Sequence, residues 1–428
     1  MRKTAIVLTL LLLGAGVYVL AGGLELNSAE QLGKSIYFDD NLSINRNQAC
    51  AACHGPDVGF TGPIEAFNEA GAVYEGSIPG RFGNRKPPSA AYATTSPLFD
   101  FIEEKKDELF IGGNFWDGRA TGYQLGNPAA DQAVGPFLNP AEQGLPDAAC
   151  VVHRVCIPTV PADYPVSFET VWGMGTCDIA WPADVEAQCA TEGGHVMLSD
   201  EDRAQVMENY GNIGRTIAAF EGSYEVNAYT SKYDYYLAGM VKLTHEEKMG
   251  LNMFKSKGKC ANCHVLDEGP DGPPLFTDYS FDNLGVPINA DNPAYISTGF
   301  IDPGLGGFLA TQGGLWGEMA DENMGKQKVP TLRNVAKAPY EGFVKAYTHN
   351  GYFKTLEGVV HFYNTRDVKN VCPDPLTPEA MAIAMNCWPA PEVMENVNHD
   401  ELGDLKLTDD QEKAIVAFLK TLSDGYMP

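Results

Sequence analysis

Apolar and polar positions near the C-terminus alternate with the period of an α-helix. Ala414, Ile415, Phe418, Leu419 and Leu422 recur at the spacing of one helix face, and this pattern predicts an amphipathic helix. The segment 407–412 ahead of them contains a Thr followed by acidic residues, which is typical of a capped helix start. We expect this helix to pack beside a functional site of the second half of the chain.

A second helix start is predicted at Thr244, which is followed three residues later by Glu247. A Thr at the N-cap with a Glu at the third helical position forms a capping box. The boundary between two parts of the chain is therefore expected within residues 225–243.

The two parts repeat the same order of features, which predicts an internal duplication. Each contains a helical segment with a Gly and an aromatic residue, then a Pro-containing stretch, then an aromatic-rich turn: residues 32–38, 86–92 and 115–119 in the first part, and 250–254, 329–335 and 347–352 in the second. We expect two similar, mainly α-helical domains over residues 24–235 and 236–428. Residues 145–194 match nothing in the second half and are interpreted as an insertion in the first domain.

The N-terminus has the pattern of an export signal. Met1, Arg2 and Lys3 precede an uncharged apolar run from Thr4 to Ala21. Residues 1–23 are thus either a signal peptide cleaved after Ala21 or a retained membrane anchor, since about 18 apolar residues can span a bilayer. Both alternatives place the rest of the chain in the periplasm, an oxidising compartment.

Composition and charge exclude one class of function. The chain has 30 Lys and Arg against 56 Asp and Glu, a net charge of −26, which argues against nucleic acid as a partner because phosphate backbones require positive charge. The 45 Gly and 28 Pro residues predict long irregular loops between the helices.

Two short motifs carry the most specific chemistry. Residues 50–54 and 260–264 both match C-x-x-C-H, the pattern of covalent c-type haem attachment. Chance expects roughly 0.004 such matches in a chain of this composition. We therefore predict two haem c groups, one bound through Cys50 and Cys53 with His54 as axial ligand, and one through Cys260 and Cys263 with His264. The alternatives are a pair of disulfides, which a two-residue gap closes poorly, or a zinc site.

The six other cysteines lie in three neighbouring pairs, Cys150 with Cys156, Cys177 with Cys189, and Cys372 with Cys387. Six thiols allow 15 pairings. We expect disulfides between nearest neighbours, because each would close a short loop in a segment rich in Pro and Gly.

The order of motifs resembles the bacterial dihaem cytochrome c peroxidases and their MauG-type relatives. The motifs are C-A-A-C-H, N-F-W-D-G-R-A, G-P-F-L-N-P, a second C-x-x-C-H, K-V-P-T-L-R-N-V and H-N-G-Y-F-K-T-L-E. The resemblance runs from about residue 30 to the C-terminus, apart from the insertion. It implies a helical two-domain protein in which the N-terminal haem meets peroxide and the C-terminal haem relays electrons.

The resemblance also predicts an open iron in the first domain. In many family members a His in the loop after the first motif blocks this iron until reduction. Here residues 55–87 contain no His, and the next after His54 is His153. We expect a five-coordinate or water-bound iron that needs no reductive activation.

For the peroxide site, the resemblance implies Asp131 as the acid that assists O–O cleavage, with Asn114 above the same haem. Asp131 takes the position of a family Glu and is followed by Gln132 and Ala133. The alternative for Asp131 is a structural cap on a surface turn. Glu142 is then the next candidate acid.

For the C-terminal haem, the resemblance implies Tyr363 as the second axial ligand, because it lies fourteen residues after His349. MauG-type members use Tyr at this position, where classical peroxidases use Met. A phenolate favours oxidised iron and lowers the potential, and a thioether does the opposite. His361 is the rival ligand.

Two departures from the family pattern affect electron transfer and metal binding. Residues 93–114 lack the Trp that family members place between the haems, so we expect transfer through Tyr92 or directly between the haems. Lys86 stands where the family has a calcium-binding Asn. Calcium is left open, and an ammonium in its place argues against the usual site.

The sequence thus predicts a periplasmic dihaem peroxidase that reduces hydrogen peroxide to water with electrons from a small cytochrome c or cupredoxin-type donor. One alternative is a MauG-type oxidase that uses peroxide to oxidise a protein or organic substrate. The other is a non-catalytic dihaem electron carrier, which would need a second strong ligand on the first iron.

Overall fold

A computed structural model of the chain describes residues 25–104, 107–157, 164–269 and 272–428. The predicted export segment, residues 1–23, lies outside the described residues. The helices are α1 (Ser28–Tyr37), α2 (Glu65–Glu69), α3 (Pro128–Leu138), α4 (Ala148–Cys156), α5 (Tyr164–Trp172), α6 (Val185–Cys189), α7 (Asp200–Glu221), α8 (Lys232–Leu237), α9 (His245–Lys255), α10 (Pro293–Thr298), α11 (Gly304–Leu309), α12 (Gly314–Glu318), α13 (Leu356–Thr365), α14 (Glu379–Ala384) and α15 (Asp409–Lys420).

The strands are short and form two-stranded sheets. Strands β1 (Asp100–Glu104) and β2 (Asp107–Ile111) are antiparallel, as are β3 (Phe281–Asp282) and β4 (Gln327–Lys328), whereas β5 (Asn370–Val371) and β6 (Cys387–Trp388) are parallel. The predicted mainly helical fold class is confirmed. None of the described helices combines the length and the apolar character that crossing a membrane requires.

The predicted helix starts in the second half are confirmed. Thr244 caps α9 by accepting a hydrogen bond from the Glu247 backbone N–H, and the Glu247 carboxylate accepts one from the Thr244 N–H. Thr408 and Gln411 form the same reciprocal pair at the start of α15. Each box satisfies backbone donors that a helix leaves unpaired at its N-terminus.

In the first half, α1 packs closely across α7 because Gly33 lets the two backbones approach. A Cβ at Gly33 would collide with the Thr216 carbonyl oxygen and the Phe220 Cβ on α7. One turn later, the Tyr37 ring meets the Phe220 ring edge to face at a centroid distance of 5.3 Å.

The second half repeats this arrangement with α9 and α15. A Cβ at Gly250 would collide with the Ala414 carbonyl oxygen and the Phe418 Cβ, and the Phe254 ring meets the Phe418 ring edge to face at 5.2 Å. The Gly and the aromatic residue singled out in each half therefore serve the same packing. The internal duplication itself stays a prediction, which these matching helix pairs support.

The predicted insertion, residues 145–194, contributes to the core of the first half. Helix α4 is buried along its whole length and packs against α7. Phe168 on α5 and Val185 on α6 belong to the same apolar cluster.

Two of the three predicted disulfide pairings are wrong. Cys150 pairs with Cys189 and Cys156 with Cys177, because Cys150 and Cys156 lie six residues apart on the same helix α4, about 9 Å along its axis. A disulfide needs Cα atoms within about 7 Å of each other. The predicted pair Cys372–Cys387 is confirmed, with Cα atoms 5.1 Å apart.

The two halves are joined by buried polar contacts. The Asp424 carboxylate near the C-terminus accepts hydrogen bonds from the Tyr92 hydroxyl at 2.7 Å and from the Asn334 amide at 2.9 Å. The Lys345 ammonium donates to the backbone carbonyls of Val58 in the first half and of Asn334 in the second. These contacts fix the relative position of the halves.

Candidate active site

The first C-x-x-C-H motif lies at the wall of a cavity, called the first cavity here. Cys50, Cys53 and His54 face this cavity, which also touches α3 and the C-terminal end of α7. The His54 Nδ1–H donates to the Phe60 carbonyl at 3.2 Å. Burial lowers the pKa of His54 to about 4, so the ring is neutral and its Nε2 lone pair is available to a metal.

The second motif has the same geometry at a second cavity. Cys260, Cys263 and His264 line it, and the His264 Nδ1–H donates to the Phe276 carbonyl at 2.8 Å. Burial lowers the pKa of His264 as well. The empty space within the first and second cavities, including the part that is open to solvent, is about 1450 Å³ and 1470 Å³.

The residues present fit a covalently bound haem at each motif. Cys50, Cys53, Cys260 and Cys263 are the cysteines that form no disulfide among the described residues, and each pair lines one cavity beside a neutral imidazole. Two thiols for the vinyl groups and one imidazole for the iron are the donor set of haem c.

Tyr363 lines the second cavity together with His264. It lies on α13, and burial raises the pKa of its hydroxyl. The rival ligand His361 lies outside this cavity: its Nδ1–H donates to the Glu412 carboxylate at 3.0 Å, and its Nε2 accepts from the Lys369 ammonium at 2.5 Å. The structure therefore brings Tyr363 to the predicted site and not His361.

Helix α3 has a glycine at the position that matches Tyr363 when residues are counted from the N-cap of each helix. Tyr363 lies eight residues after Thr355, the N-cap of α13, and Gly135 lies eight residues after Asn127, the N-cap of α3. A Cβ at Gly135 would lie 3.5 Å from the tip of the Phe115 ring, which itself lines the first cavity. Helix α3 thus offers no ligand atom where α13 offers a phenol.

The structure does not bring Asp131 to the first cavity. Its carboxylate accepts backbone hydrogen bonds from Gly122 at 2.7 Å and Leu125 at 2.8 Å, so it caps the turn before α3. The next residue, Gln132, lines the cavity, and adjacent residues on a helix point about 100° apart. The catalytic role of Asp131 stays a prediction without support from this geometry.

Glu142, the next candidate acid, does line the first cavity. Burial raises the pKa of its carboxyl, and the nearby Arg119 guanidinium partly offsets this effect. Arg119 also lines the cavity and lies over the Phe115 ring at 3.8 Å. An acid with a raised pKa beside a fixed cation suits proton transfer and the stabilisation of a departing oxygen.

Asn114 lines a third cavity, called the junction cavity here, which lies where the two halves meet. This cavity shares His54, Phe115, Gln132 and Glu221 with the first cavity. The Asn114 amide donates to the Ala93 carbonyl at 3.2 Å, and its oxygen accepts from the Lys328 ammonium at 3.1 Å. Sequence reasoning did not single out Lys328.

Trp116 contributes to the walls of all three cavities. Its indole N–H donates to the Lys86 carbonyl at 2.8 Å, and its backbone carbonyl accepts from the Lys328 N–H at 2.8 Å. An aromatic residue therefore does lie between the predicted haem sites, two positions beyond the segment searched in the sequence. Tyr92 lines only the junction cavity among the three.

The position of the family's calcium-binding Asn holds a buried ammonium. Lys86 donates to the Thr61 hydroxyl at 2.7 Å and to the Pro87 carbonyl at 3.0 Å. Burial lowers the pKa of Lys86 to about 7. The Lys86 ammonium thus donates hydrogen bonds to oxygen atoms at the position where the family binds calcium. Whether calcium binds there is left open by the sequence and is not decided by this contact.

Comparisons with known proteins agree with this geometry. A sequence model of the family described as di-haem cytochrome c peroxidase matches residues 27–242. The methylamine utilization protein MauG of Paracoccus denitrificans is 33% identical over 400 residues, covering 92% of this chain and 88% of that protein. The cytochrome c551 peroxidase of Nitrosomonas europaea is 27% identical over 335 residues, covering 77% and 71%.

A solved structure shows the same fold. The diheme peroxidase BthA of Burkholderia thailandensis superimposes with a TM-score of 0.70 at 26% sequence identity, covering 95% of this chain and 88% of that chain.

Proposed function

Because the chain belongs to the di-haem cytochrome c peroxidase family, we propose that it is a periplasmic enzyme that carries two covalent haem c groups and reduces hydrogen peroxide to water. Cys50, Cys53 and His54 hold one haem in the first cavity. Cys260, Cys263 and His264, together with Tyr363, would hold the other in the second cavity. The haem irons supply the redox chemistry when bound.

One observation carries this proposal, the difference between Gly135 and Tyr363 at corresponding positions of α3 and α13. The Tyr363 phenol, which lines the second cavity with His264, would close the second haem site to peroxide. Gly135 on α3 has no side chain that could do the same, and among the described residues lining the first cavity His54 is the one imidazole. Peroxide therefore reacts in the first cavity.

The side chains of the first cavity supply the proton chemistry. Glu142 accepts a proton from one peroxide oxygen and returns it to the other, which departs as water. Arg119 stabilises the negative charge that develops on the departing oxygen. In total, two electrons from the donor and two protons convert one hydrogen peroxide into two water molecules.

Trp116 is placed to carry electrons from the second cavity to the first, since its side chain is part of both walls. The electrons come from a small redox protein of the cytochrome c or cupredoxin type. A net charge of −26 favours a positively charged donor surface, because complementary charges accelerate encounter.

A second candidate function is a MauG-type oxidase, in which a protein or organic substrate loses two electrons and two protons, and these convert one hydrogen peroxide into two water molecules. Tyr363 in the second cavity favours this reaction, because an anionic oxygen ligand stabilises oxidised iron. The relative at 33% identity is named a methylamine utilization protein. A non-catalytic electron carrier is less well supported, since it needs a second strong ligand in the first cavity, and His54 is the one imidazole among the described residues that line this cavity.

The test is steady-state peroxide consumption by the fully oxidised enzyme with reduced cytochrome c, reduced cupredoxin or organic donors. We expect peroxide consumption with two equivalents of reduced donor oxidised per peroxide and no lag for reductive activation. Turnover with organic or protein substrates alone would support the oxidase. Absence of turnover with every donor would overturn both enzymatic proposals and leave the electron carrier.

A further inference from the structure

Lys328 belongs to the second half but reaches into the first. It ends strand β4, and its ammonium donates to the Ser96 hydroxyl at 2.6 Å, to the Asn114 amide oxygen at 3.1 Å and to the Gly113 carbonyl. All three acceptors are uncharged and belong to the first half. The positive charge is therefore held by dipoles, and no carboxylate among the described residues forms an ion pair with it.

Lys328 lies between the two predicted haem sites, because it lines a cavity on each side. It lines the second cavity, which contains His264 and Tyr363, and the junction cavity, which contains His54. Its ammonium lies 5.6 Å from the centre of the Tyr279 ring. One fixed cation thus stands in the wall between the two sites.

The charge state of Lys328 sets the conditions for a test. Burial lowers its pKa to about 7, so the ammonium is mostly protonated at pH 6. The other titratable groups that line the junction cavity are His54, Tyr92, Glu221 and Tyr279.

We propose that Lys328 raises the reduction potentials of both haems through the positive charge that it holds between their cavities. Reduction adds an electron to each site, and a nearby cation stabilises the added negative charge. At an effective dielectric constant of about 20, a unit charge at about 10 Å shifts such an equilibrium by on the order of tenfold. This inference rests on one part of the proposed function, the binding of a haem in each cavity, and does not depend on peroxide turnover.

The experiment is a potentiometric titration of the haem-loaded protein at pH 6. Lys328→Met should weaken the reduction equilibrium of each haem by on the order of tenfold. For a one-electron couple this corresponds to a midpoint potential lower by about 59 mV. Lys328→Arg keeps the charge and should restore both potentials. Lys328→Gln is a second neutral variant that keeps hydrogen-bond donors, should the Met variant fail to fold.

The matched control is Lys34→Met, because the Lys34 side chain is half-exposed, pairs with Glu225 and lines none of the three cavities. Its potentials should equal those of the wild type. A lower melting temperature of Lys328→Met or Lys328→Gln with both potentials unchanged would show a purely structural role and overturn the proposal. Altered potentials in a protein without peroxide turnover would uphold this inference and refute the proposed function.

Discussion

Arg85 in the first half donates two parallel hydrogen bonds to the Asp302 carboxylate in the second half. The distance is 2.6 Å from Nε to Oδ2 and 2.7 Å from Nη2 to Oδ1. The remaining Nη1 of Arg85 donates to Asp117 at 2.6 Å. Arg85 lines the first cavity and Asp302 lines the second. The buried ion pair thus ties the two candidate haem sites together.

Removing the Asp302 carboxylate should destabilise the protein and change its response to acid. Burial alone would raise the pKa of Asp302, but the Arg85 charge outweighs burial and holds it well below the usual value of 3.8. A depressed carboxyl pKa gives stability that is present above about pH 4 and is lost as the pH falls further. We expect Asp302→Asn to lower the free energy of unfolding at pH 7 by about 3 kcal/mol, as for other broken buried pairs.

The check is urea unfolding of wild type and variant at pH 3–7, followed by far-ultraviolet circular dichroism. The difference between the two proteins should shrink below pH 4. A difference that stays constant down to pH 3 would show that the ion pair does not control acid stability.

Glu142 and Asp131 should differ sharply in their effects on peroxide reduction. Glu142→Gln removes the acid that lines the first cavity, and losing such a group costs about 10²–10⁴ in rate. Asp131→Asn weakens the cap of a turn and should lower stability with little change in turnover. Stopped-flow kinetics with peroxide measures the reaction rate of both variants. If Asp131→Asn reacted slowly and Glu142→Gln reacted at the wild-type rate, Asp131 and not Glu142 would be the acid that assists peroxide cleavage.

Tyr363 should determine the spectrum of one haem only. Tyr363→Phe removes the predicted ligand, so one low-spin signal should disappear from the electron paramagnetic resonance spectrum of the oxidised protein, whereas His361→Ala should leave that signal in place. Tyr363→Met should raise the potential of the same haem, because a thioether favours reduced iron. If His361→Ala and not Tyr363→Phe abolished the signal, the ligand assignment would be wrong.

Trp116→Phe should slow electron transfer from the second haem to the first, since phenylalanine is harder to oxidise than tryptophan. The reaction of peroxide with the first haem should keep its rate. Trp316→Phe is the control, because Trp316 on α12 packs against Phe99 and lines none of the three cavities. Equal inter-haem rates in both variants, measured by rapid mixing with reduced donor, would exclude Trp116 from the path.

Short-range features of the molecule were predictable from the sequence. A C-x-x-C-H motif contains its thiols and its imidazole within five residues, and a capping box needs only four, so His54 and Thr244 could be assigned without knowledge of the fold. The position of Tyr363 followed from its distance along the chain to His349, which the family resemblance supplied.

Features that depend on packing were not predictable. The pairing of Cys150 with Cys189 depends on how α6 lies against α4, and the direction of Asp131 depends on which face α3 turns to the cavity. Lys328 lies more than 200 positions from Asn114 in the chain, and only the docking of the two halves brings them together.

The central claim is that the first iron has an open position and the second does not. Electron paramagnetic resonance of the fully oxidised, haem-loaded protein tests it most directly. The account predicts one high-spin signal from the haem at His54, which disappears when peroxide is added without prior reduction, and one low-spin signal from the haem at His264. Two low-spin signals and no reaction with peroxide before reduction would contradict it.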